Sequence, residues 1–215
     1  LQKTMEPRDY LMGTLLCTTS RWMVYAPTGL GKTLFTLNMM AAISAGQQFL
    51  NWQGGHACRV MYIDGEMPGA VLQERLSAIM AGADRQPPDT DYLQFIAADL
   101  YRDGIPDLST PEGQQTFEPL LEGRDLIIID NLSTVMRSGR ENESESWIPV
   151  QEWALRQRRL GRSVAFIHHA GKAGNQRGTS KREDVLDTVI SLRRPTDYEA
   201  SQGARFELHF EKARG

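Results

Sequence analysis

YAPTGLGKT, residues 25–33, sets the fold expected of this chain. Loops that grip phosphate read Gly, four residues, then Gly-Lys-Ser/Thr. Here Ala26 takes the first position, and Gly29, Gly31, Lys32 and Thr33 follow in step. Ala26 is a mild departure, because a small residue still permits the tight turn out of a strand. Glycine reaches positive φ, which lets backbone N–H groups converge on an anion. The lysine meets the outer phosphates, and the hydroxyl serves Mg²⁺. The plain alternative is a glycine-rich turn that binds nothing, and its flanks argue against it. RWMVY (21–25) reads as a buried strand, and KTLFTLNMMAAISA (32–45) as a helix closing at Gly46. ATP is therefore expected on Pro27, Thr28, Gly29, Leu30, Gly31, Lys32, Thr33 and Leu34.

Working outward, short apolar runs alternate with helical patterns. RVMYID (59–64), YLQFIA (92–97), DLIIID (125–130) and SVAFIH (163–168) read as strands. PGAVLQERLSAIMAG (68–82) reads as a helix with Val71, Leu72, Leu76 and Ile79 on one face. Thr110 and Pro111 suit the N-cap and first position of a helix ending near Gly123. Residues 147–160 are helical with a basic exposed face, and RSGRENESES (137–146) is a loop by composition. VLDTVISLR (185–193) and ARFELHF (204–210) read as late strands, paired antiparallel through a turn at 201–203. The order predicts an α/β fold with a mostly parallel sheet, helices on both faces and an antiparallel C-terminal extension.

The 215 residues suit one large domain, with 40% apolar and 24% charged residues. The chain begins at Leu1 and is expected to be a piece of something longer. No apolar run is long enough to span a bilayer, so no membrane partner is expected. Cys17 and Cys58 are the only cysteines, which points to a reducing cytoplasm and no disulfide framework. A net charge of −3 argues against a protein that coats duplex DNA through its overall field.

Three further groups are candidates for the chemistry. Asp130 ends the most apolar strand, where a carboxylate would share Mg²⁺ with Thr33. Glu66 lies just past the second strand, at the carboxyl edge where ligands gather, and suits a base for the attacking water. Asp64 is assigned to supporting that turn. FIHHAGK (166–172) places two histidines at a strand tip, and only one can face the phosphates. His169 is preferred to His168 as a sensor of the terminal phosphate.

Together these segments resemble the RecA-fold ATPases of the group containing the hexameric plasmid replicative helicase RepA, and more distantly the DnaB-type helicases. The resemblance runs through PRDYLMGTLL (7–16), APTGLGKT, VMYIDGEMP, LIIIDNLS, AFIHHAGK, RGTS (177–180) and FEKARG (210–215). It implies a RecA-like core in a homo-oligomeric ring, a hexamer, with ATP between neighbours. By motif match, Lys212 and Arg214 would act on the next subunit's phosphates, and Arg177 matches an arginine of RepA-like members. The resemblance also implies that the basic loop 172–182 faces a channel and tracks single-stranded DNA. Arg177 thus has two competing uses, phosphate or DNA. A helicase or translocase of plasmid, phage or mobile-element replication is the expected function. A RecA-fold switch or loader acting on a protein partner is the alternative. A small-molecule kinase fits least, because no arginine-rich lid is present.

Overall fold

The computed structural model describes residues 9–137, 144–170 and 185–213, with backbone alone for 144–146. Strands β1 (Tyr10–Met12) and β2 (Leu16–Cys17) form a small antiparallel hairpin ahead of the main sheet. The main strands are β3 (Arg21–Ala26), β4 (Val60–Asp64), β5 (Leu93–Ala97), β6 (Leu126–Asp130), β7 (Ser163–His169), β8 (Thr188–Arg193) and β9 (Glu207–Ala213). Their spatial order is β5-β4-β6-β7-β3-β8-β9. Every neighbouring pair is parallel except β8 with β9. This is the expected α/β, RecA-like arrangement with its antiparallel C-terminal hairpin.

Continuous apolar strands are required because both faces of the sheet are covered. Helices α1 (Lys32–Ala45) and α2 (Gly69–Ala81) pack on one face, against Trp22, Val24, Tyr62, Leu126 and Ile128. Helices α3 (Pro111–Leu121), α4 (Leu132–Val135) and α5 (Ser144–Arg159) lie on the other, against Met23, Tyr25, Ile127, Ile129 and Phe166. The period of two along β6 and β7 thus sorts alternate residues to opposite layers. Thr110 caps α3 by accepting from the Gly113 N–H, with Pro111 beginning the helix.

Several expectations need correction. The loop expected over 137–146 already turns helical at Ser144, where a serine-glutamate run starts α5. Acidic residues favour a helix's first turn, so polar composition there did not mean loop. Val71 is exposed, while Leu72 and Leu76 are buried. The last strand spans 207–213 rather than 204–210, because Ala204 and Phe206 are drawn onto Gly31. The β1–β2 hairpin and the short α4 carry no signal of hydrophobic period.

The start of β3 is fastened to the residue preceding β8 by a buried ion pair. Arg21 donates from its guanidinium to Asp187 at 3.3 Å and from its backbone N–H at 2.9 Å. Both side chains are at most 10% exposed. Removing one partner leaves the other as a buried, uncompensated charge. Asp187→Ala should therefore lower unfolding free energy by about 3–5 kcal/mol in urea titrations. A loss under about 1 kcal/mol, the scale of a solvated pair, would contradict that account.

Candidate functional site

All parallel strands point their carboxyl ends the same way, so β3, β4, β6 and β7 deliver the ends of their segments to one edge. At the tip of β3 the chain turns through Gly29 (φ 76°) and Gly31 (φ 114°) into α1. These left-handed values are strained for a residue bearing Cβ. A Cβ on Gly31 would also meet Ala204 Cβ at 3.2 Å and the Phe206 ring at 3.3 Å. The turn presents the N-terminus of a fourteen-residue helix, where free N–H groups and the helix dipole favour an anion. Lys32 is buried at its root, its ammonium donating to the carbonyls of Ala26 (2.9 Å) and Pro27 (3.1 Å).

Thr33, on the first turn of α1, donates its hydroxyl to Asp130 Oδ2 at 3.2 Å. The strand period places Asp130 on the same face as Leu126 and Ile128, toward α1. Tyr62, on the adjacent β4, also donates its hydroxyl to Asp130. Burial raises the Asp130 carboxyl to about 7; the Tyr62 bond opposes the rise and the nearby Asp64 charge adds to it. Tyr62 itself is held well above its usual value, by burial first and then by Asp130. A hydroxyl and a carboxylate oxygen side by side are hard donors of the kind Mg²⁺ takes. Among the described residues no group of three or more His, Cys, Asp or Glu could hold a metal. Thr33 and Asp130 thus fit an ion that draws its remaining ligands from phosphate and water.

Glu66 follows the β4 tip through a turn fixed by Asp64. The Asp64 carboxylate accepts from the N–H groups of Glu66 (2.8 Å) and Met67 (2.7 Å). Burial raises the Asp64 pKa, against the pull of those two backbone bonds. The Glu66 side chain is 52% exposed, with His169 Nε2 3.6 Å from its Oε1. The other His169 nitrogen, Nδ1, lies 3.3 Å from the Thr28 hydroxyl. His169 therefore connects the glycine turn to Glu66, on the α1 side. His168 is fully buried, and its place in the β7 alternation faces the opposite layer.

Two contacts here had no motif to announce them. Asn131 donates its side-chain amide to Glu66 while its Oδ1 caps α4 through the Thr134 N–H at 3.2 Å. Its position directly after Asp130 was the available signal. Arg194, just past β8, donates to the Gly29 carbonyl at 3.3 Å and stacks 3.6 Å over the Tyr198 ring. That contact crosses 165 positions and depends on the sheet order alone.

Lys212 stands apart from this cluster. Lys212 pairs with Val189, which pairs with Met23. It therefore sits two strands across from β3 and roughly 10 Å back from Ala26 toward the opposite edge. Arg177, Arg214 and the basic loop 172–182 lie outside the described residues. Among the described residues, no helix is long and apolar enough to cross a membrane.

The AAA domain family (AAA_25) matches residues 1–175, from ahead of the hairpin to past the His169 strand tip. That span holds the glycine turn, Glu66, Asp130 and His169 in one continuous match. The chain belongs to this family of P-loop ATPases.

Proposed function

We propose that this chain is the ATP-hydrolysing core of a ring-forming DNA helicase or translocase, of the kind used in plasmid, phage or mobile-element replication. The observation that supports it most is the meeting of Glu66, His169 and Thr28 beside the Lys32 turn, within a P-loop ATPase family found in RepA-like replicative helicases. The N–H groups of Gly29 to Thr33 hold the phosphates, and Lys32 turns from the Ala26 and Pro27 carbonyls to the outer ones. Thr33 and Asp130 would hold Mg²⁺, which would offset the negative charge of the phosphates. Glu66 takes the proton of the water that attacks the terminal phosphorus, and Asn131 fixes its carboxylate for that step. His169 donates to the terminal phosphate and reports its presence to Thr28 and Glu66.

Lys212 and Arg214 act on a neighbouring subunit's phosphates in this reading. The β8–β9 register supports that direction, because it keeps Lys212 away from its own glycine turn. Arg177 and the loop 172–182 supply the basic track for single-stranded DNA. Turnover measured with and without single-stranded DNA, alongside native mass, tests the proposal. DNA-stimulated hydrolysis by a closed oligomer is the expected result. Stimulation by a protein partner alone would make the chain a switch or loader instead.

A further inference from the structure

Tyr62 carries one group that the chemistry above leaves unused, its hydroxyl. We propose that Tyr62 is a positioning residue, whose hydroxyl holds the Asp130 carboxylate in the orientation that meets Thr33 and the cation beside it. The proposal rests on the reading of Thr33 and Asp130 as the metal pair. Tyr62 lies mid-way along β4, fully buried among Val60, Leu126 and Ile128 on the α1 side of the sheet. Any large apolar side chain would serve the packing there, and a phenylalanine would bring no polar group to satisfy. The hydroxyl instead donates to Asp130 Oδ2 at the tip of the next strand. The same oxygen accepts from the Thr33 hydroxyl at 3.2 Å. Two donors, one from β4 and one from α1, therefore close on a single carboxylate oxygen. One bond lets a carboxylate swing about it, whereas two from separate elements fix its rotation. The arrangement also settles Thr33, whose hydroxyl has one proton and two lone pairs. With the proton committed to Asp130, the lone pairs remain for a cation.

Asp64 explains why Asp130 needs a second donor. It stands directly across from Asp130 in the parallel β4–β6 register, so two carboxylates share one stretch of the sheet edge. Neighbouring strands lie only about 4.8 Å apart, and like charges at that spacing push one another aside. Asp64 is held by the N–H groups of Glu66 (2.8 Å) and Met67 (2.7 Å). Asp130 is held by the two hydroxyls, and without Tyr62 the Thr33 bond alone would have to resist the repulsion. The tyrosine thus keeps the metal carboxylate in line beside the carboxylate that shapes the Glu66 turn.

Mn²⁺, read by its paramagnetic resonance, is the metal probe, titrated onto chain loaded with a non-hydrolysable ATP analogue. The unsubstituted chain, Tyr62→Phe, Asp130→Asn and the double variant are compared, each also titrated with the analogue in EDTA. Tyr62→Phe keeps the buried ring and removes only the hydroxyl. It should weaken Mn²⁺ binding by at least about tenfold, the low end of the loss when a metal ligand's hydrogen-bond partner is removed. Its analogue affinity in EDTA should match that of the unsubstituted chain. In the double variant, Tyr62→Phe should add nothing to the Asp130→Asn loss, because the hydroxyl acts through that carboxylate. A full further loss there, or unchanged Mn²⁺ affinity in Tyr62→Phe alone, overturns the proposal and leaves the metal reading intact. A Tyr62→Phe chain that also loses the analogue in EDTA overturns it too, since the hydroxyl would then serve the fold at large. If Asp130→Asn binds Mn²⁺ as tightly as the unsubstituted chain, the metal reading itself fails and the role of Tyr62 falls with it.

Discussion

Lys32→Ala should lose ATP hydrolysis by at least about a thousandfold, the upper range for deleting one preorganised electrostatic partner of a reacting group. Phosphate release under excess ATP reads the rate, and nucleotide titration should show weaker binding as well. The effect is large because Lys32 is the buried ammonium at the root of the glycine turn, reached from the first residue of α1. No other lysine lies in the Ala26–Ala45 segment to replace it. Its two carbonyl partners, Ala26 and Pro27, also lose a donor, so thermal stability should be followed in parallel. A folded variant with normal turnover would refute the role given to this loop.

Glu66→Gln is the second large effect, and its signature differs. ATP should still bind, because the residue lies beyond the turn that holds the phosphates. Hydrolysis should slow by at least about a hundredfold, the low end of the usual loss for a missing general base. The substitution keeps side-chain size and can still accept from Asn131, so the change is confined to basicity. A pre-steady-state measurement separates the cases: bound ATP should persist uncleaved. Near-normal turnover would move the base to another group, and His169 at 3.6 Å would be the first to test.

Much of this arrangement was legible in the amino-acid order because burial on both faces forces unbroken apolar strands. LIIID, VMYID and SVAFIHH have that form, and each ends with a polar group at the same sheet edge. The two-residue period of a strand lets only one of His168 and His169 face the glycine turn, and in the structure that one is His169. Other parts were not readable, for reasons that lie in tertiary geometry. Tyr62 looks like ordinary strand filling until β4 is set beside β6, when its hydroxyl meets Asp130. ARFELHF reads as a strand from Ala204, yet the strand begins at Glu207, and Ala204 and Phe206 lie beside Gly31 instead. Arg194 is one basic residue among many until the sheet order puts β8 beside β3. The limits of Val71 and of the 137–146 stretch were errors of degree, where periodicity and composition are least sharp at element ends.

The position of β3 also has a bearing on how the protein is made. Its two partners are β7 and β8, and its ion pair joins Arg21 to Asp187 across 166 positions. A nascent chain that has just released β6 from the ribosome therefore holds β4 with both neighbours in hand, while the most apolar early strand still waits unpaired. Such distant pairing slows folding and leaves sticky surface exposed during translation. The nucleotide loop therefore leaves the ribosome long before β7 and β8, the two strands that hold its own strand in the sheet.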